Sequence, residues 1–243
     1  TFVLGVETTT LDASGEVIAT HDMSGVTLDQ VRHVATERFC GPILQIPPMV
    51  SAVKVDGRRL HELAREGIEV VREPRPVTVH EITVDAFDGA STPGDTTKRF
   101  ALSVQCSSGT YIRTLVADLG TALGGGGHLE SLRRTAVGSF DIDEAVPLAE
   151  LTPEKLLGVG EAVRDLDQVQ VDDEIADHIT HGARLERDDL GLQVTETGPW
   201  AVSRADGTLL AVYEDHGPGW VKPAVVVAQP DPHRPNSGTS ATS

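Results

Sequence analysis

Between Phe100 and Leu123 the chain changes its period. Phe100 to Cys106 reads as a β-strand, and Tyr111 to Leu123 carries apolar residues at helical spacing. Ser107, Ser108 and Gly109 join the two, small residues that let a backbone turn sharply or approach something closely. Two functional side chains, Tyr111 and Arg113, sit at the junction. An arginine that points inward needs a carboxylate, because a buried unpaired charge is very costly. A tyrosine ring can stack on an unstacked RNA base. On spacing alone, a core tyrosine and a surface ion pair fit the stretch equally well.

The remaining elements alternate in type. "TFVLGVETTTLDASGEVIAT" reads as two strands around a turn at Asp12 and Gly15. Thr27 to Cys40 reads as a helix with a Thr27/Gln30 capping box and an apolar stripe of Leu28, Val31, Val34 and Ala35. The double proline of "GPILQIPPMVSAVKVDG" forces an extended segment. "GRRLHELAREG" is a short helix closed by Gly67. Val77 to Phe87 alternates apolar and polar residues as a half-buried strand does, and "DGASTPGDTT" follows as a polar loop. Gly124 to Gly127 ends the helix, and Leu132 to Phe140 reads as a further strand. Beyond it lie a weakly periodic stretch with a short helix near Pro153 and a helix at Asp172–His181. Short strands are expected around Val194, Ala201, Leu209 and Val225, with a hairpin turn at Arg204–Gly207.

The net charge of −17 argues against a nonspecific binder of nucleic acid. The acid is unevenly placed: residues 1–140 carry 13 basic and 17 acidic residues, and residues 141–243 carry 7 and 20. Arginine outnumbers lysine, 16 to 4, which suits bidentate contacts to phosphate. Cys40 and Cys106 show no ligand spacing and read as reduced, buried thiols. No apolar run approaches a membrane span and there is no signal peptide, so a cytoplasmic protein is expected.

Several motifs carry little chemistry. "LGGGGH" lacks the Lys-Ser/Thr of a phosphate loop and follows a helix, so it reads as a helix C-cap. His178 and His181 have a spacing that can bind metal, but no second cluster joins them and no metal site is expected. Ser107, Ser108 and His128 form no nucleophile elbow. Between Pro47 and Arg75, six basic residues mix with five acidic ones, as on a solvated surface. Three of the six, Lys54, Arg58 and Arg59, cluster around the turn "VDG", where a basic tip can reach nucleic-acid phosphates.

"QIPPMVSAVKVDGRRLHELAREG", "SSGTYIRTLVADLG" and "HLESLRRTAVGSF", in this order and spacing, resemble the TruB family of tRNA pseudouridine-55 synthases. "FVLGVETTTLDASGEV" is similar to the strand-turn-strand that follows the family's catalytic region. The resemblance is close over residues 1 to about 150, and the arginine-rich acidic composition resembles an actinobacterial member. It implies an α+β fold: a mixed domain around an antiparallel sheet, lacking its first elements, then a small β-rich PUA-like RNA-binding domain. The boundaries expected are 1–147 for the synthase domain, 148–166 for a connector, 167–229 for the PUA-like domain and 230–243 for a disordered tail.

The resemblance further implies isomerisation of uridine to pseudouridine without metal or organic cofactor, on the T stem-loop of tRNA, by a monomer. The target uridine is flipped from the stack, an aspartate attacks the nucleoside, and the uracil turns and rejoins through carbon. Carried over by motif, Tyr111 would pack against the flipped base, and Arg113 would pair with the catalytic aspartate. Leu132 would line the uridine pocket, and Lys54, Arg58 and Arg59 would lie in the segment that grips RNA. The family's aspartate lies in a "GTLDP"-like motif upstream of the strand that here begins at Phe2, and its second aromatic, a tyrosine, just before that strand; this sequence has neither. The chain is therefore expected to be N-terminally incomplete, inactive alone and poorly soluble, with Arg113 facing water or a borrowed acid. Asp12 and Asp118 have other places in the family pattern and are not read as nucleophiles. The alternatives are a T-arm binding module without catalysis, and a guide-RNA-dependent relative of the archaeal and eukaryotic type.

Overall fold

A computed structural model describes residues 1–55, 57–68, 70–87 and 97–228. The polar loop at 88–96, the tail from 229 and Asp56 of the basic turn lie outside the described residues. The chain divides into two compact units, the first Thr1–Arg133 and the second opening at Arg134.

The first unit is built on strands β1 (Phe2–Leu4), β4 (Gly41–Gln45), β7 (Arg75–Ala86), β8 (Lys98–Cys106) and β9 (Gly127–Leu129). They form one sheet in the order β4-β7-β8-β1-β9, antiparallel throughout. Two short hairpins flank it, β2 (Val6–Thr8) with β3 (Val17–Thr20) and β5 (Lys54–Val55) with β6 (Arg58–Arg59). Helices α1 (Leu28–Phe39), α2 (Leu60–Arg65) and α3 (Ile112–Ala122) complete the unit. The expected pair of N-terminal strands is in fact three. Gly5, at φ +95°, breaks the run, so that β1 enters the large sheet while β2 pairs with β3.

Sequence chemistry accounts for most of these elements. The Thr27 hydroxyl accepts the Gln30 N–H and the Gln30 side chain accepts the Thr27 N–H, so the capping box starts α1. Val31 and Ala35 are buried, with Leu28 and Val34 packed partly against the same core. In β7 the alternation slips by one residue. Val77 and Val79 are buried, His80 and Glu81 are both exposed, and Ile82 and Val84 are buried again. A bulge between Val79 and Glu81 restores the inward phase. Phe2, Leu4, Phe100, Leu115, Val116 and Leu119 fill the core between sheet and helices.

The glycine run behaves as a cap and a contact. Gly124, at φ +90°, closes α3, with Gly125 N–H donating to the Gly120 carbonyl. Gly120 itself is buried where the helix meets β9; a Cβ there would stand 2.6 Å from the backbone of Gly126 and Gly127.

The expected strand over Leu132–Phe140 does not form. Gly138, at φ +57°, folds this stretch into a tiny hairpin of β10 (Ala136–Val137) and β11 (Phe140–Asp141), and Leu132 stands 62% exposed before it. Four 3-10 turns then cover Ile142–Glu144, Leu148–Glu150, Pro153–Lys155 and Val159–Val163. The rest of the second unit is β-rich: β12 (Asp167–Val171), β13 (Leu185–Glu186), β14 (Trp200–Arg204), β15 (Leu209–Asp215) and β16 (Trp220–Val226), with α4 (Asp173–Thr180). Its sheet runs β12-β14-β15-β16-β13, and only β12 and β14 are parallel.

Trp200 and Tyr213 anchor the core of this unit, and the Tyr213 hydroxyl donates to the Ala183 carbonyl. Burial pushes the Tyr213 phenol up to about 12. No strand forms around Val194, which is 85% exposed. The stretch instead wraps the buried Arg187 guanidinium, which donates to the Gln193 and Glu196 carbonyls, pairs with Asp215 and lies over the Trp200 ring.

Two outcomes test this packing. Gly120→Ala forces a backbone shift and is expected to destabilise the first unit by about 1–3 kcal/mol in chemical denaturation. Arg187→Met leaves two carbonyls and Asp215 without their donor; a loss of about 3 kcal/mol is expected. Both tryptophans, Trp200 and Trp220, lie in the second unit, so tryptophan fluorescence reads that transition.

Candidate active site

The strand-to-helix junction is ordered by its own polar groups. The Ser107 hydroxyl accepts the Thr78 N–H and the Ser107 N–H donates to the Thr78 carbonyl, which prolongs the pairing of β8 with β7. Gly109, at φ +81°, turns the chain, and the Thr110 hydroxyl donates back to the Ser107 carbonyl. Tyr111 is then the N-cap of α3, without a side-chain cap of its own. Its N–H donates to Gln45 Oε1 at 2.9 Å, and its carbonyl accepts from Gln45 Nε2 at 3.3 Å.

Arg113, in the first turn of α3, finds an acid within the chain. Its Nη1 lies 3.0 Å from Asp12 Oδ2 and also donates to the Thr10 carbonyl, while Nη2 donates to the Val50 carbonyl at 2.7 Å. The two side chains are each about a quarter exposed. Asp12 is also fixed by its own turn. The Thr10 and Ser14 hydroxyls and the Ser14 N–H all donate to its Oδ1. Backbone bonds from Ala13 and to Leu11 fasten this turn to Leu129 at the end of β9. The preceding Leu11 has φ +61°, an uncommon conformation for a bulky residue, held by these surroundings.

Burial pushes the Asp12 carboxyl up. The Ser14 and Thr10 hydroxyls, the Ser14 amide and the Arg113 charge outweigh it and hold the group below its ordinary value. Sequence reading treated Asp12 as a turn residue only. The available signal was the Asp-x-Ser pattern of an Asx turn, which marks a carboxylate held in one orientation.

Beside the pair lies an open cleft of about 500 Å³, lined by Val50, Ser51, Ala52, Arg65, Tyr111 and Arg113. Tyr111 and Arg113 thus share one cavity, and Arg65 joins them without having been singled out in the sequence. Lys54, Arg58 and Arg59 do not line it. They stand exposed on the β5–β6 hairpin, where Lys54 faces Arg59 in register and Arg58 pairs with Glu66 at 2.5 Å. Leu132 does not line it either. Asp118, on α3, has its carboxyl raised by burial and is not drawn into the cleft. Among the described residues no group of three or more His, Cys, Asp or Glu could hold a metal ion. His181 uses Nδ1 on the Asp177 carbonyl. No helix of the described residues is long and apolar enough to cross a membrane.

The antiparallel sheet with this junction defines a known class of fold. The chain superposes on a chain of the "Cbf5-Nop10-Gar1 Complex" crystal structure with a TM-score of 0.62 at 24% identity, covering 90% of this chain and 60% of that one. At that identity the likeness is one of fold. Sequence goes further: residues 1–112 match the model of the TruB family pseudouridylate synthase N-terminal domain, and residues 113–171 that of the tRNA pseudouridylate synthase B C-terminal domain. The tRNA pseudouridine synthase B of Arthrobacter sp. (strain FB24) is 39% identical over 237 residues, 94% of this chain and 75% of the relative. That of Azoarcus sp. (strain BH72) is 49% identical over 148 residues, 61% of this chain and 46% of the relative. The chain belongs to the TruB family. It spans less than half of the Azoarcus relative and three quarters of the Arthrobacter one.

The Asp12 carboxylate, held by Ser14 and Thr10 first and by Arg113 last, has a pH signature. Because the folded carboxyl titrates below its ordinary value of 3.8, its stabilisation is complete above that value and is lost as pH falls through the folded value. Asp12→Asn is expected to lower stability by about 2 kcal/mol at neutral pH and to flatten the acid limb of the melting-temperature profile. An unchanged acid limb would show that the ionised Asp12 carboxylate contributes nothing to folding.

Proposed function

We propose that the chain serves the isomerisation of uridine to pseudouridine at position 55 in the T loop of tRNA. One observation carries the reading: in a TruB chain, Tyr111 and a carboxylate-bound Arg113 line the same open cleft. A uridine flipped out of the T-loop stack enters the cleft and lies against the Tyr111 ring. Arg113 presents a fixed charge whose role is to orient a carboxylate and keep it ionised. Leu132, exposed and outside the cleft, is given no part in holding the base. Lys54, Arg58 and Arg59, raised on an exposed hairpin, meet phosphates of the T stem. The chemistry is that of a carboxylate nucleophile, with no metal and no organic cofactor.

Asp12 is not that nucleophile. It is not among the residues that line the cleft, and its Oδ1 is held within its own turn by donors from Thr10 and Ser14. The family's aspartate belongs to a "GTLDP"-like motif, which is not among these 243 residues. In this reading Tyr111, Arg113 and the basic hairpin hold and orient the RNA, and the protein acts as a cytoplasmic monomer. The stand-alone mode is preferred to a guide-RNA-dependent one, because the relatives at 39% identity are named tRNA pseudouridine synthase B, while the Cbf5 likeness is one of fold.

Binding is the direct test. The polypeptide is expected to prefer a T-arm RNA over unrelated hairpins at moderate salt. Replacing Lys54, Arg58 and Arg59 by glutamine should weaken binding uniformly and reduce the salt slope by about one per cation removed. Equal affinity for all hairpins would sink the proposal. In a tritium-release assay on the same RNA no turnover is expected; robust turnover would locate a nucleophile within these residues.

A further inference from the structure

Gln45 is a polar residue in an apolar place. It ends β4, and the inward positions of that strand are Gly41, Ile43 and Gln45. Ile43 packs against the core, and Gln45 is only 1% exposed. An amide at that depth costs free energy unless its groups are bonded, and a leucine or methionine of similar size would satisfy the packing alone. Both recorded partners of the amide are the backbone of one residue 66 positions away: Oε1 accepts the Tyr111 N–H, and Nε2 donates to the Tyr111 carbonyl. The orientation of the amide is fixed by chemistry, since an N–H can meet only the oxygen and a carbonyl only the NH2.

The clamp falls where the helix cannot supply its own. An N-cap serine, threonine or aspartate orders its turn through its own side chain, which a tyrosine cannot do. Tyr111 has extended backbone angles, φ −96° and ψ 105°, and no side-chain cap. Its carbonyl accepts the Leu115 N–H within the helix and Gln45 Nε2 from the sheet. Both faces of the Tyr111 residue are thereby held, and with them the direction in which its Cβ leaves the backbone. The same segment is tied to α3 again by Arg113 on the Val50 carbonyl.

We infer that Gln45 is a positioning residue for base recognition: from the edge of the sheet it sets Tyr111, and so the platform against which the flipped uracil is held. This rests on the reading of Tyr111 given under Proposed function. The experiment measures affinity for a T-arm RNA carrying the target uridine and for the same RNA with an abasic site there; the ratio isolates the base contact.

Tyr111→Ala should reduce the ratio by about 5-fold or more, as loss of one base-aromatic stack does. Gln45→Leu should remove most of the same ratio while leaving abasic affinity unchanged, and should speed hydrogen exchange of the Tyr111 amide. Adding Gln45→Leu to Tyr111→Ala should cost nothing further, because one residue acts through the other. Gln45→Glu keeps the acceptor and loses the donor, and should give an intermediate ratio. A folded Gln45→Leu with the parental ratio overturns the inference, and so does unfolding of both Gln45 variants, which would assign the residue to the fold alone. If Tyr111→Ala leaves the ratio unchanged, the reading of Tyr111 itself fails, an outcome separate from the first.

Discussion

The guanidinium of Arg113 is the tie on which the site depends. It joins the first turn of α3 to the turn at Thr10–Asp12 and to the carbonyl of Val50, three stretches with no local reason to meet. A lysine could not replace it, because a single ammonium cannot span a carboxylate and two carbonyls in fixed directions. The carboxylate end is immobilised in turn by Thr10 and Ser14, so neither partner bears the whole ordering cost. The cleft beside Tyr111 is the space these constraints leave open.

The same device recurs in the second unit. Arg187 is buried, bonds two carbonyls and one carboxylate, and lies over Trp200. Arg164 covers the Phe140 ring at 3.8 Å and bonds Ser139 and Glu144. The preference for arginine over lysine therefore has a structural share besides any phosphate contacts. Irregular chain, the 3-10 turns after Phe140 and the stretch around Val194, is organised by flat cations that satisfy several oxygens at once.

Local chemistry was legible where it acts over a few residues. The capping box of α1, the glycine stop of α3 and the turn at Arg204–Gly207 were all readable, the last closed by the Gly207 N–H on the Arg204 carbonyl. So were Tyr111 and Arg113 as a pair at a strand-helix junction. The misses have a common cause. Gly5 and Gly138 interrupt runs whose side-chain pattern alone favours strand, and the deciding quantity is a positive φ. Val194 has β propensity, but the neighbouring carbonyls are taken by Arg187.

By itself, then, the sequence determined most of the elements, the family and the placing of Tyr111 and Arg113 at the strand-helix junction, because periodicity, capping and ordered motifs are short-range patterns. Only the tertiary structure decided what those residues touch. Asp12 and Arg113 are 101 positions apart, and Gln45 and Tyr111 are 66 apart. No periodicity links positions so distant. They meet because the antiparallel sheet carries the ends of β4 and β9 to the N-terminus of α3, where a charge and a buried amide each need one partner and find it.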